Sequence, residues 1–365
     1  MNDFGSKIYD AAKKAVKEVY DLEPAEGQLI IETPQDTKLG DYSTSIAMKL
    51  SRTLRRNPME IAEPLTAKLA ELLPECESIT VARPGFINFK LKQSALAAVI
   101  NDVIAAGDDY GKNESGKGKH LLLEWVSANP TGDLHCGHAR NAAWGDCIAR
   151  MMEASGWDVL REFYVNDAGN QIEKFAKSLE ARYLQIIKGE DAVEFPEDGY
   201  HGDDIRELAR AFYEKEGDKY LDCDEKTRHD ALARFGLDNN IPKMQRDLAR
   251  YGIQYDQWFF ESSLHESGYV ADSVRALTDL GFTYEKDGAL WLHTSRILAE
   301  NLKKAGKSDA DIEKLGLKDD VLRRANGFYT YFAADIAYHR NKFAVRGFDK
   351  VINVWGADHH GHVAR

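Results

Sequence analysis

Cysteine is scarce in this 365-residue chain: Cys76, Cys136, Cys147 and Cys223, with no CxxC pair among them. That excludes a disulfide-stapled scaffold and paired-thiol zinc modules, and a reduced, cytoplasmic setting is expected. No apolar run is long enough to cross a bilayer, and the first twenty residues, MNDFGSKIYDAAKKAVKEVY, hold no apolar signal core, so no membrane association is expected. Positive charge is in deficit: 48 Lys and Arg against 60 Asp and Glu, a net charge of -12. Holding nucleic acid by bulk charge is excluded, because such binding rests on phosphate neutralisation. A local basic patch on an acidic body is not excluded. Internal repeats and low-complexity tracts are absent.

What remains is the profile of a soluble globular protein with a sizeable core, 43% hydrophobic, 10% aromatic and 30% charged. Its length suggests about two domains. The pattern changes near residue 110, and the expected domains are 1–112 and 113–365. In the first, Ile8, Ala12, Ala15, Val16 and Val19 recur at helical spacing. QLIIET reads as a strand, DYSTSIAMKLSRTL as a helix capped by Asp41 or Ser43, and PMEIAEPLTAKLAELL as a helix with a possible break at Pro64. ESITVA and FINFKLK read as strands meeting at RPG. In FINFKLK, Ile87, Phe89 and Leu91 share one face, and Phe86, Asn88 and Lys90 the other. An aromatic beside an amide on a solvent face could stack a base and read its edge, but a lone exposed Phe is the commoner explanation.

The joint, DDYGKNESGKGKH, nearly matches a phosphate-binding G-x-x-x-x-G-K-[ST] loop. It ends in Gly118 without the hydroxyl and precedes a strand instead of following one, which rejects the match. Beyond it the pattern becomes α/β. HLLLEWV is an apolar run suited to a parallel strand buried on both faces. The loop SANPTGDL follows, then a helix ended by Gly156, then the strand WDVLREFYV, which together make a βαβ unit. In such sheets ligands bind beyond the carboxyl ends of the strands, where this loop lies. Residues from about 177 to 257 read as a charged helical insertion, and KVINVWGAD as a further strand.

Two features stand out. His135 and His138 bracket Gly137 at a helix start. Free backbone N–H groups and the positive helix end favour an anion there, and imidazoles can donate to phosphate oxygens. Metal ligation with Cys136, or simple capping, are the competing readings. Glu124 sits inside the apolar run, where an ionised carboxylate is costly unless paired. Its partner is either an internal arginine or the cation of a ligand. Tyr331 and Asp335 lie one helical turn apart in GFYTYFAADIAYHRNKF and would complete a cation pocket, unless they are an ordinary surface pair.

These stretches carry a resemblance. EWVSANPTGDLHCGHAR, VNDAGNQ, YDQWFFESSL, YFAADIAYHRNKF and WGADHHGHVAR resemble, in order, the blocks of the arginyl-tRNA synthetases, class I enzymes of bacterial type. The segment from GDYSTSIAMKL to RPGFINFKL is similar to that family's extra N-terminal domain. The resemblance implies an α/β, Rossmann-like class I catalytic domain with a helical insertion, behind a small α+β domain that binds the tRNA elbow. It implies ATP-dependent formation of arginyl-adenylate and transfer to the 3′ end of tRNA(Arg). His135, Gly137 and His138 would be catalytic, with His135, His138, Gly356 and Asp358 meeting ATP. Glu124, Asn129, Tyr331 and Asp335 would bind L-arginine, and Phe86 and Asn88 a base of the tRNA D-loop. ATP with Mg2+ is implied, no protein-bound metal is expected at His359, His360 and His362, and a monomer is expected. Asp133 stands where proline is common, and could repel ATP; Asn141 stands where glycine is common. The KMSKS loop and the anticodon-binding domain are not found before Arg365, since Lys243-Met244 falls within the insertion, so an incomplete N-terminal piece is expected. A non-catalytic arginine- or tRNA-binding fragment and another HxGH nucleotidyltransferase are the alternatives.

Overall fold

The computed structural model describes residues 4–364, without the side chain of Asp358. The chain separates into two compact units, Met1–Lys112 and Asn113–Arg365.

In the smaller unit, α1 (Phe4–Tyr20) buries Phe4, Ile8, Ala12, Ala15 and Val16. It is followed by β1 (Ile31–Glu32), β2 (Tyr42–Thr44), α2 (Ile46–Leu54), α3 (Pro58–Leu72), β3 (Cys76–Ala82), β4 (Phe86–Leu91) and α4 (Gln93–Ala106). The sheet is antiparallel in the order β1-β2-β4-β3. The expected helix from Asp41 begins only at Ile46, because Tyr42–Thr44 pair with Phe89–Ile87 as a strand. Pro64 does not break α3. Asn57 caps that helix through Met59 N–H, and a proline in the second turn forfeits one internal bond. The α4 helix is an addition to the expected elements. It buries none of its residues, and Leu96, Ile100 and Ile104 are exposed.

One expectation about faces needs correction. Asn88 is not on a solvent face: it is 6% exposed, and its Oδ1 accepts the Ser43 hydroxyl at 2.8 Å. Its strand is central, flanked by Ser43 and Thr80. Phe86, at the strand's start, is half-buried.

The larger unit is built on a parallel sheet in the order β11-β5-β6-β7. In chain order it runs β5 (His120–Trp125), α5 (Cys136–Ala154), β6 (Asp158–Val165), α6 (Asn170–Lys188), α7 (Asp203–Glu216), α8 (Glu225–Arg250) and β7 (Gln257–Phe260). Then come α9 (Ser262–Glu266), α10 (Tyr269–Asp279), β8 (Thr283–Lys286), β9 (Ala289–Leu292), α11 (Thr294–Lys304), α12 (Asp309–Glu313), β10 (Asp320–Arg323), α13 (Tyr331–Arg340) and β11 (Lys350–Val354). A five-residue π-helical turn, Asn341–Val345, continues α13.

Alternation along the strands sorts the two faces of the sheet. Leu121, Leu123, Trp125, Phe163 and Val165 form a core with Ala142 and Ala149 of α5 and Met244 and Leu248 of α8. Phe259 packs on the other face with Ala334, Ala337 and Tyr338 of α13. Gly145 lets α5 lie directly on Trp125, since a Cβ there would sit 2.2 Å from the indole. The helical insertion opens at Asn170, earlier than its charge pattern suggested, and has its own core of Phe175, Leu179, Tyr183, Ile205, Phe212 and Leu232. The antiparallel sheet β10-β9-β8 was not anticipated.

Candidate functional site

The carboxyl ends of β5, β6 and β11 open on a cavity of about 840 Å³, within the usual range for small-molecule sites. Glu124, Asn129, Tyr331, Asp335 and Gly356 all line it, so the structure gathers residues from opposite ends of the larger unit. His359 and His362 line it as well, and the side chain of Asp358 lies outside the described residues.

Glu124 is 7% exposed and not unpaired. Its Oε2 accepts from Lys342 Nζ at 2.7 Å, and its Oε1 from Ser127 Oγ at 3.1 Å. The internal partner is a lysine of the π-helical turn, not an arginine, and the picture of a carboxylate waiting for a ligand cation is corrected at that oxygen. A bare carboxylate at this depth would carry a desolvation penalty of several kcal/mol.

Tyr331 and Asp335 share the first turns of α13. The Tyr331 hydroxyl oxygen accepts the Asn170 N–H at 2.6 Å, which leaves its own proton to be donated. Gly169, at φ +79°, packs so closely on the ring that a Cβ would stand 2.7 Å from the hydroxyl. The Asp335 side chain is half-exposed, with His339 Nδ1 at 3.4 Å and no lysine or arginine paired to it among the described residues. The Asp335 hydrogen bond raises the His339 pKa against burial and the Lys342 charge. The Asn353 amide nitrogen donates to His339 Nε2 at 3.2 Å.

A third acid was missed. Glu261 follows β7, is 4% exposed, accepts from the Tyr164 hydroxyl at 2.7 Å and has His265 Nε2 at 3.5 Å. Burial raises its pKa, opposed by the Tyr164 hydrogen bond. The signal was present: WFFESS ends an apolar strand in an acid just as LLLEWV holds one. Burial also pushes Tyr164 and Tyr338 upward, so both stay neutral phenols.

Beside the cavity, though not among its lining residues, His135 forms the N-cap of α5. Its Nδ1 accepts Gly137 N–H at 3.1 Å, and His138 Nδ1 accepts His135 N–H at 3.2 Å. A backbone N–H can only donate, so each ring carries its proton on Nε2. The rings stack 3.7 Å apart. Burial, then the neighbouring His135, lowers the His138 pKa and favours the neutral ring. Capping and anion donation are therefore compatible: Nδ1 does the first, and the Nε2 protons remain for the second. Gly137 is explained by its own turn, since a Cβ would lie 2.9 Å from the His135 ring.

The intervening loop is braced at several points. Val126 and Ser127 have φ of +64° and +42°, costly for a β-branched residue. The Asn141 amide ties the ends of two strands, accepting from Val126 N–H at 2.8 Å and donating to Val354 O at 3.0 Å. Asn240, on α8, donates to Pro130 O at 2.9 Å. Lys243, on the same helix, pairs with Asp133 and offsets the charge expected to repel ATP.

A parallel sheet with an HxGH turn after its first strand is the arrangement of a class I tRNA synthetase catalytic domain, and residues 99–365 match the family described as "tRNA synthetases class I (R), catalytic domain". Residues 6–91 match "Arginyl tRNA synthetase N terminal domain". The chain belongs to the arginyl-tRNA synthetase family. It is 46% identical, over its whole length, to 63% of the arginine–tRNA ligase of Ruminiclostridium cellulolyticum. Over 92% of its length it is 50% identical to 56% of that of Caldanaerobacter subterraneus. The fold is similar to Thermus thermophilus arginyl-tRNA synthetase (TM-score 0.62, 24% identity, 93% of this chain and 53% of that one). It is also similar to the Plasmodium falciparum enzyme (TM-score 0.67, 17% identity, 99% and 61%). The chain thus spans between 56% and 63% of these curated relatives. No helix among the described residues is long and apolar enough to cross a membrane.

Proposed function

We propose that the chain carries the amino-acid-activating site of an arginine–tRNA ligase. The observation behind this reading is the cavity itself. Asp335, Glu261 and the Tyr331 hydroxyl offer acceptors and a phenol to a guanidinium, and the α5 turn stands beside them with two Nε2–H donors. A planar cation with five N–H groups suits several oxygen acceptors.

In the first step an arginine carboxylate oxygen bonds to the α-phosphorus of ATP, and the bond to the β-phosphate oxygen breaks to release pyrophosphate. In the second, a terminal ribose hydroxyl of tRNA(Arg) attacks the arginyl carbonyl carbon, and AMP leaves. Positioning and charge stabilisation supply most of the rate in such transfers. His135 and His138 donate to phosphate oxygens, with Gly137 shaping their turn. Asn129 holds the amino acid's backbone end, and Glu124, Tyr331 and Asp335 its side chain. Gly356 and Asp358 meet the ATP ribose. Magnesium arrives as part of the MgATP substrate. Phe86 and Asn88 contact a D-loop base, which requires Asn88 to exchange its Ser43 hydrogen bond. The protein works as a cytoplasmic monomer.

A second reading is favoured by His135 and His138 standing outside the cavity lining: this chain alone binds arginine or tRNA without chemistry. Arginine-dependent ATP–pyrophosphate exchange with tRNA present separates the two, run on this chain and on one extended by a relative's remaining segment. Exchange in the extended chain alone supports a ligase completed by further sequence. Silence in both, with L-arginine still bound, supports a binding fragment.

A further inference from the structure

One rung of the parallel sheet is polar from edge to edge. Asn353 of β11 is in register with Glu124 of β5, Glu124 with Glu162 of β6, and Glu162 with Gln257 of β7. Register partners in a parallel sheet point to the same face, so four polar side chains stand in a row beneath α13. Two of them are carboxylates on adjacent strands, and Glu162 is fully buried.

Two cations meet this row. Lys342 Nζ reaches Glu124 Oε2 at 2.7 Å and Asn353 Oδ1 at 3.3 Å. Arg346 Nη2 reaches Glu162 Oε2 at 2.5 Å and Gln257 Oε1 at 3.0 Å. Tyr338 links the two halves: its hydroxyl donates to Glu162 Oε1, and Lys342 Nζ lies 3.8 Å from its ring centroid. Lys342 lies within the π-helical turn and Arg346 directly follows it. Such turns are rare and concentrate at functional sites.

Resting on the reading of the cavity as an arginine site, we propose that Lys342 and Arg346 are positioning residues that clamp this row and so set the cavity floor. Neither lines the cavity, whereas Glu124, Tyr338 and Asn353 do. The cations therefore act through the residues they hold. A row needed for stability alone is better served by apolar side chains, since buried ion pairs are commonly no more stable than well-packed hydrophobic replacements. The clamp fixes one Glu124 oxygen, leaves its orientation to the ligand unique, and holds the Tyr338 ring as a neutral wall.

The test is calorimetric titration of L-arginine into this chain, far below its melting midpoint, beside thermal melts. Lys342→Met should weaken L-arginine at least tenfold, and Arg346→Met by a smaller factor through Glu162 and Tyr338. A purely structural role lowers the midpoint and leaves the affinity of the folded protein unchanged. Where Lys342→Met does not fold, Lys342→Gln keeps a donor for Glu124 without the charge, and a several-fold loss is expected. Affinity within twofold of the parent overturns the proposal. So does tighter binding, which would make Lys342 a competitor for Glu124. Asp335→Asn, measured in parallel, isolates the underlying reading: if the parent chain ignores L-arginine, or Asp335→Asn binds it unchanged, the arginine site itself falls and the proposal with it.

Discussion

Asp335 and His339 face each other across one turn of α13, with 3.4 Å between Oδ1 and Nδ1. This contact sets how much negative charge the cavity offers. With Asp335 half-exposed, Asp335→Asn should leave the melting midpoint nearly unchanged and weaken L-arginine about ten- to hundredfold, the value of about 1.5–3 kcal/mol for hydrogen bonds to a charged group. Titration calorimetry checks both halves.

The same contact predicts a pH dependence. Asp335 raises the His339 pKa above its ordinary 6.5. Protonated His339 partly neutralises Asp335, so L-arginine should bind more weakly as pH falls through the raised His339 pKa and more tightly as it rises. For stability the sign is reversed: the His339 contribution is present at low pH and lost as pH rises through the folded-state pKa. His339→Gln should flatten the affinity profile, and an unaltered profile in that variant assigns the titration elsewhere.

The buried pair beneath the cavity gives a separate expectation. Glu124→Gln removes an acid and also strands the fully buried Lys342 charge, at a cost of about 3–5 kcal/mol. Adding Lys342→Met should return most of that stability, because both charges are then gone. Urea melts of the two single variants and the double variant decide this.

Glu261 should show the opposite pattern. Burial raises its folded-state pKa, so the folded protein holds that proton more tightly than the unfolded chain. This contribution is present below the unfolded pKa and is lost as pH rises through the folded one. Glu261→Gln, permanently neutral, should therefore gain on the parent in thermal melts as pH rises from the ordinary carboxylate range through the raised folded-state pKa. A constant gap would mean the carboxylate is already compensated by Tyr164 and His265.

Lys243 and Asp133 are both partly exposed. Lys243→Ala should change stability by less than about 1 kcal/mol yet weaken ATP a few-fold, by restoring an uncompensated charge beside the α5 turn. Asp133→Asn in the same chain should recover the loss, and high salt should mask it. Nucleotide titration at two ionic strengths is the check.

The legibility of this molecule in its sequence varies with how local the cause is. Glu124 stood out because an acid interrupts an apolar run, and Tyr331 with Asp335 because one helical turn brings them together. Lys342 could not be paired with Glu124 from the sequence, since 218 positions separate them and only the fold closes that gap. Glu261 was readable by the argument used for Glu124 and was passed over just after a four-residue strand. The β8–β9 hairpin was readable too: Asp287 and Gly288 have φ of +52° and +73°, the Asp-Gly turn that joins two short strands. Asn88 misled because alternation assigns a face to each residue but does not say that β4 is a central strand, where Ser43 and Thr80 flank Asn88 on its own face and the Ser43 hydroxyl binds its amide.

The most direct measurement is a crystal structure of this chain soaked with L-arginine. The account predicts the guanidinium within hydrogen-bond distance of Asp335 and Glu261, with Lys342 still on Glu124 and the carboxylate turned towards Asn129 and the α5 turn. L-arginine bound away from Asp335, or a cavity that stays empty at saturating ligand, would contradict it.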